Sequence, residues 1–429
     1  MSATVRIGIL GCGHVGGPLV GLIGERAAAI EARTGLSLHV ARIAVRNLSR
    51  ERDVPINEGL LTRDAAEVVD DPTIDLIVEV IGGIEPAREL ILTALKNGKP
   101  VVTANKELLA NVGTEIFGAA DAAGCDLLFE AAVAGGIPLI RALRESLAGE
   151  PVRRILGIVN GTTNYILTRM SEAGASYGDA LAEAQGLGYA ERDPTADVEG
   201  YDAGAKAAII ASIAFGVRVV AGDVYHEGIS QITADDIAAA QRLGYVVKLL
   251  AIAERYDDGS LAVRVHPTML PASHPLASVR DSYNAVFVEG DAVGSLMFYG
   301  RGAGGRPTAS AVLGDVIDAA SNLRKGTHAS IGMFDRAPML PIDETSAEYY
   351  IPLEVADRPG VLHAVTGAFA DHGVSIRTAE QEGLGDDARL VFITHTAREA
   401  DVQATLSDLR HLEVVKQVGG ILRVISNEP

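Results

Sequence analysis

An apolar strand that runs straight into three spaced glycines leaves a chain few architectural options. Residues 5–10 are such a strand. They enter "GCGHVGG", where Gly11, Gly13 and Gly16 take the spacing G-x-G-x-x-G, and a helical pattern follows from about residue 15. Glycines so placed permit a tight turn, let backbone N–H groups approach a pyrophosphate, and let the helix pack closely on the sheet. The helix N-terminus adds partial positive charge toward that anion. The motif predicts a dinucleotide cradle at Gly11, Gly13, His14, Val15 and Gly16.

The runs that follow keep the same rhythm. "LHVARIAVR", "IDLIVEVIGG", "PVVTAN" and "CDLLFEAAV" read as strands separated by helical patterns. That order predicts an α/β fold with an N-terminal Rossmann-type doubly wound sheet over residues 1–135. The middle, 136–304, mixes helices and strands without a βαβ rhythm and is expected to be an α+β substrate and dimerisation domain. "GRGAGGRPTASAVLGDVIDAA" gives a Gly-rich loop and a long helix, expected to return to the first domain as a segment of about 305–340. "APMLPIDETSAE" reads as a linker. Residues 349–429 then show strands at 349–355, 374–380, 390–396 and 413–425, with helices near 361–371 and 399–409. This is the βαββαβ order of a ferredoxin-like unit.

Bulk properties narrow the function classes. The 429 residues exceed one ordinary core. A net charge of −19 repels phosphate backbones and anionic lipid, so no nucleic acid or membrane partner is expected. No run approaches the about 18 apolar residues of a membrane span, and the N-terminus carries no signal-like region. Cys12 and Cys125 are the only cysteines. They fit a reducing, cytoplasmic compartment. A thiol that acylates must be partly exposed, whereas Cys125 lies inside "CDLLFE" and reads as core. His226 and His266 lack metal-ligand spacing and read as structural.

Cofactor choice is read at the end of the second strand, where an acid would bind the ribose 2′-hydroxyl of NAD. The chain instead has "AVRNLSRERD", with Arg46, Arg50 and Arg52. Arginine pairs with a 2′-phosphate, so NADP is favoured, with NAD as the alternative. Glu51 and Asp53 dilute the basic signal.

Several stretches together point to a family. "GCGHVGG", "VTANK", "EAAVAGGIP", "NGTTNYIL", "GYAERDPTADVEGYDAGAK" and "GRGAGGRPTASAV" resemble the homoserine dehydrogenases over about residues 5–335. The tail, with "ADRPGVL" at its first strand–helix turn, resembles an ACT-type regulatory domain. The pairing is similar to the single-function bacterial form, since no kinase-like segment precedes the dinucleotide fold. The resemblance implies reversible NAD(P)-dependent reduction of aspartate 4-semialdehyde to homoserine, in the biosynthesis of threonine, methionine and isoleucine.

It also implies roles for residues. Lys206 matches the lysine at the reacting oxygen, donating or accepting the proton as hydride moves. A free lysine has a pKa of about 10.4, and burial at the mouth of the apolar helix "AAIIASIAFG" would lower it. Glu191 and Asp202 would hold the substrate's polar groups, and Asp197 would orient Lys206. Asp193, before Pro194, reads as a turn cap, and Glu199 as solvent-facing. Thr162 and Tyr189 match substrate contacts, though each also reads as a structural hydroxyl. Lys106 follows a buried strand at its C-terminal edge, where open α/β sheets bind ligands. The resemblance makes it a second active-site lysine, with Thr103 and Ala104 lining the nicotinamide side. Asn105 reads as a helix cap. Gly302 and Gly304 would cover the cofactor.

The family also implies a monovalent cation such as sodium, held by backbone carbonyls at Glu130, Val133, Gly135 and Ile137. In the tail, Asp357 and Gly360 of "DRPG" would lie near an amino-acid effector, expected to be threonine. The tail also reads as a pairing module, giving a homodimer or homotetramer. Two other readings stay open: a non-catalytic dinucleotide or amino-acid sensor, and another NADP-linked amino-acid dehydrogenase.

Overall fold

A computed structural model describes residues 3–52, 54–330, 334–383 and 385–426, so Asp53 lies outside the described residues. The chain divides into two compact units. One comprises Met1–Val159, Gly204–Val224 and Tyr283–Ala337; the other comprises Asn160–Ala203, Tyr225–Ser282 and Pro338–Pro429.

The first unit is built on a parallel sheet. Its strands, in spatial order, are Leu61–Thr62, Leu36–Ala44, Ala3–Leu10, Leu76–Glu79, Val101–Thr103 and Leu127–Leu128. The chain order reverses between Ala3–Leu10 and Leu76–Glu79, the switch point at which such sheets open a ligand crevice. The inner strands are apolar on both faces because helices cover both. One covering helix, Gly305–Lys325, comes from far along the chain. Ala309, Val312, Leu313, Val316, Ala319 and Ala320 recur at helical spacing and share a core with Ile7, Leu19, Leu36 and Val78. The same unit holds an antiparallel set in which Tyr283–Gly290 pairs with both Val152–Ile158 and Gly294–Arg301.

In the second unit, Tyr245–Arg255 and Leu261–Pro271 form a long antiparallel pair. The helix Gly161–Ala173 packs on Tyr245–Arg255 and on the helices Tyr177–Gly186 and Ala234–Arg242. The C-terminal part has antiparallel strands Ser346–Ala356, Asp387–Thr394 and Ile376–Gly383, with helices Val361–Asp371 and Glu399–His411. Its last strand, Leu422–Val424, pairs antiparallel with Ser346–Ala356 on one side and parallel with Leu261–Pro271 on the other.

Three expected elements differ in extent. The last strand is two pieces, Val415–Val418 and Leu422–Val424. The break falls at Gly419, where a Cβ would stand 2.8 Å from the Pro352 ring. "CDLLFEAAV" keeps only Leu127–Leu128 as strand and turns into a 3₁₀ helix at Glu130–Ala132. The Glu130 carboxylate draws the chain aside by accepting from the N–H groups of Leu139, Ile140 and Arg141. Lys206 stands on the second turn of its helix, not at the mouth, because the helix Tyr201–Phe215 begins before Gly204. The breaker is Gly200, at φ +85°.

Candidate active site

The glycine loop is packed so closely that two of its positions have no room for a side chain. At Gly16 a Cβ would sit 2.3 Å from the Gly11 carbonyl oxygen, and at Gly11 one would sit 2.8 Å from the Val80 oxygen. Those two glycines let backbone meet backbone at the switch point. Gly13 faces open space, with no atom within 4 Å of its would-be Cβ. His14 and Val15 complete the turn into the helix Gly16–Thr34. Burial pushes the Cys12 thiol up, against a partial pull down from the Arg52 guanidinium. It is therefore not an activated nucleophile.

Of the basic residues after the second strand, Arg46 and Arg50 are exposed. Arg52 is committed to its own loop, donating to the carbonyls of Asn47, Leu48 and Arg50.

At the ends of two central strands lies a network that sequence reading missed. Glu79 is fully buried and closes Leu76–Glu79. Its carboxylate accepts from the Thr103 hydroxyl at 2.6 Å and from the N–H groups of Ile81 and Gly82 at 2.8 and 3.1 Å. Thr103 Oγ1 in turn accepts from the Asn105 N–H. Asn105 caps the next helix at the Leu108 N–H and donates to the Gly83 carbonyl. Lys106, exposed, is the first residue of that helix. The signal for Glu79 was a carboxylate inside the apolar run "LIVEV"; three donors satisfy it where it is buried.

The "GRGAGG" loop meets the glycine turn of "EAAVAGGIP" backbone to backbone. A Cβ at Gly135 would stand 2.3 Å from the Gly302 oxygen, and one at Gly305 would stand 2.6 Å from the His14 oxygen. Gly304, at φ +119°, precedes the helix Gly305–Lys325. Ala134 and Gly135 both lie at positive φ, so the peptide planes of this turn rotate sharply between Val133 and Ile137. Asp315, 3% exposed, braces the turn by accepting from the Glu130 N–H at 2.8 Å and from Arg141 at 3.1 Å. Burial pushes its carboxyl up to about 7. Among the described residues no group of three or more His, Cys, Asp or Glu is placed to hold a metal ion.

Lys206 is half-buried, and its Nζ donates to the Val159 carbonyl at 2.7 Å.

The second unit gathers most of the acids. Asn160 caps the helix Gly161–Ala173 and donates to Asp197 Oδ1 at 2.7 Å and Asp202 Oδ2 at 2.8 Å. Sequence reading passed over Asn160, whose only signal was its place before a helix start. Thr162 is buried, with its hydroxyl donating to the Tyr189 carbonyl at 2.7 Å. The Tyr189 ring lies 4.9 Å from that of Tyr165. Glu191 is exposed, and its backbone carbonyl accepts from Gln185. Asp193 turns the chain by accepting from the N–H and hydroxyl of Thr195, which hold its carboxyl below the usual range. Glu199 is half-buried rather than solvent-facing, because Gly228 packs against it. His266 is fully enclosed, and burial holds it well below the ordinary range, so it stays neutral. In the C-terminal part, Gly360 sits at φ +91° before the helix Val361–Asp371. Asp357 is exposed, and its N–H donates to Asp386.

Comparison with known proteins agrees along the chain. Residues 11–130 match the homoserine dehydrogenase NAD-binding domain, 138–317 the homoserine dehydrogenase domain and 349–414 the ACT domain. The homoserine dehydrogenase of Corynebacterium glutamicum is 51% identical over 427 residues, covering 98% of this chain and 96% of the relative. A homoserine dehydrogenase structure from Thiobacillus denitrificans superposes with a TM-score of 0.93 at 42% identity, covering 99% of this chain and 100% of that one. A hyperthermophilic archaeal homoserine dehydrogenase in complex with NADPH superposes with a TM-score of 0.62 at 31% identity, covering 74% and 97%.

Proposed function

The chain belongs to the homoserine dehydrogenase family and is an NAD(P)-dependent oxidoreductase, and from that premise we propose that Lys206 moves the proton of its reaction. The nicotinamide, when bound, exchanges hydride with the carbon that is an aldehyde in aspartate 4-semialdehyde and a carbinol in homoserine. In reduction the Lys206 ammonium donates a proton to the oxygen of that carbon; in oxidation the neutral amine takes it back. The observation that carries this reading is the contact between Lys206 Nζ and the Val159 carbonyl. The carbonyl at the strand end orients the amine.

Glu191 and Asp202 hold the substrate's ammonium and other polar groups, with Tyr189 and Thr162 beside them, and Asp197 orients Lys206. Charge-assisted bonds of this kind are worth about 1.5–3 kcal/mol each. Lys106 lies at the nicotinamide and substrate, on the helix that Thr103 and Asn105 start. Gly11, Gly13, His14, Val15 and Gly16 cradle the pyrophosphate, and Gly302 and Gly304 close over it. Exposed Arg46 favours NADP by pairing with a 2′-phosphate. Carbonyls of Glu130, Val133, Gly135 and Ile137 supply hard oxygens for a monovalent cation. The ACT domain binds threonine near Asp357 and Gly360 and lowers activity, and the chain works as a homodimer or homotetramer.

The test is oxidation of NADPH and NADH, in parallel, with aspartate 4-semialdehyde and product identification. Homoserine is expected in equal amount to cofactor oxidised, faster with NADPH, and slowed by threonine. Absence of homoserine contradicts the reading. Threonine that changes neither rate nor thermal stability contradicts the regulatory part.

A further inference from the structure

Asn160 is 4% exposed, and its amide is engaged on both sides. Its Oδ1 accepts from the Thr163 N–H at 2.9 Å and the Thr163 hydroxyl at 3.0 Å. Its Nδ2 donates to Asp197 and Asp202 at 2.7 and 2.8 Å. The amide has one workable orientation. Flipped, its oxygen would face two carboxylates and its NH₂ would face an N–H.

The surrounding backbone fixes this amide in place. Gly161 lets the chain approach Ser282, whose carbonyl oxygen would lie 2.7 Å from a Cβ. One turn on, Asn164 donates to the Asp281 carbonyl at 2.8 Å and accepts from buried Lys248 at 2.9 Å. The helix start is thus held from several directions, and two carboxylates converge on one nitrogen of it. Like charges so close repel, and two N–H bonds from a neutral amide offset that without adding a charge. Capping alone asks for none of this, because Asn, Asp and Ser cap helices about equally well.

We propose that Asn160 is a positioning residue, an amide clamp that sets Asp197 and Asp202 in the geometry that the substrate requires. The inference rests on the roles assigned above to those two acids. Asn160→Ser keeps a capping oxygen and removes both donors. Asn160→Asp keeps shape and cap but replaces two attractions by two repulsions. The expected order of kcat/KM for homoserine is Asn well above Ser, and Ser above Asp. The loss should be about tenfold or more in N160S, carried chiefly by the KM for homoserine. The KM for NADP should stay within about twofold in both variants; N160S should melt near wild type, and N160D, with a third carboxylate at a buried site, should melt lower. A simple cap predicts near-wild-type kinetics for both variants, and N160D within twofold of wild type would overturn the clamp. Lys206→Ala run beside them separates the two levels. If K206A turns over normally, the underlying reading fails; if K206A is inactive while N160D is normal, the clamp alone fails.

Discussion

Lys206 Nζ donates to the Val159 carbonyl across 2.7 Å, and Val159 directly follows the strand Val152–Ile158. A strand end is a stiff support for that contact. The next residue, Asn160, holds Asp197 and Asp202.

The glycine loop predicts a split between folding and binding. Gly16→Ala sets a methyl 2.3 Å from the Gly11 oxygen, a backbone clash that should cost about 1–3 kcal/mol or more. Gly13→Ala meets nothing, so the variant should fold with unchanged melting temperature. Its NADPH affinity should fall about tenfold or more, because the methyl occupies the space a pyrophosphate needs. Melting curves and cofactor titrations of the two variants check this; equal affinity in G13A and wild type would contradict the cradle.

Arg423 predicts a large stability effect within the second unit. It pairs with Glu399 at 2.8 Å and Glu227 at 3.0 Å and is almost fully buried. Glu399 also accepts from Tyr349. Arg423→Met leaves a buried carboxylate without its cation and should cost about 3–5 kcal/mol in denaturant unfolding. Adding Glu399→Gln should recover part of that loss, since the orphaned charge goes with it.

Asp315 predicts a pH dependence of stability. Burial keeps its proton on up to about pH 7, against about 4 for an unfolded aspartate. The folded state therefore binds more protons across that window, so stability falls as pH rises through it, on the order of 4 kcal/mol in all. Asp315→Asn keeps an acceptor for the Glu130 N–H and has no proton to lose. Its stability should be flatter between pH 4 and 8 than wild type. Identical pH slopes in urea unfolding would contradict the assignment.

The α/β fold was legible because its signals are local. Gly11, Gly13 and Gly16 follow an apolar strand at once, and the apolar runs that Glu79 and Thr103 close mark inner strands. The Lys206 helix starts earlier than the apolar run "AAIIASIAFG" suggests, and of Gly200 and Gly204 either could break it by residue type. Only the first takes positive φ; the second lies within the helix. Asn160 was illegible for a different reason. Its acid partners lie 37 and 42 residues away, and no periodicity encodes a side-chain bond at that separation. Glu79 and Thr103 are likewise joined only because their strands lie side by side.

The most direct measurement is turnover of Lys206→Ala with aspartate 4-semialdehyde and NADPH, beside a titration of NADPH binding. A proton donor removed from the reacting oxygen should lower kcat by about 10²–10⁴-fold, with NADPH affinity within about twofold of wild type. Turnover near that of the wild type would contradict the account.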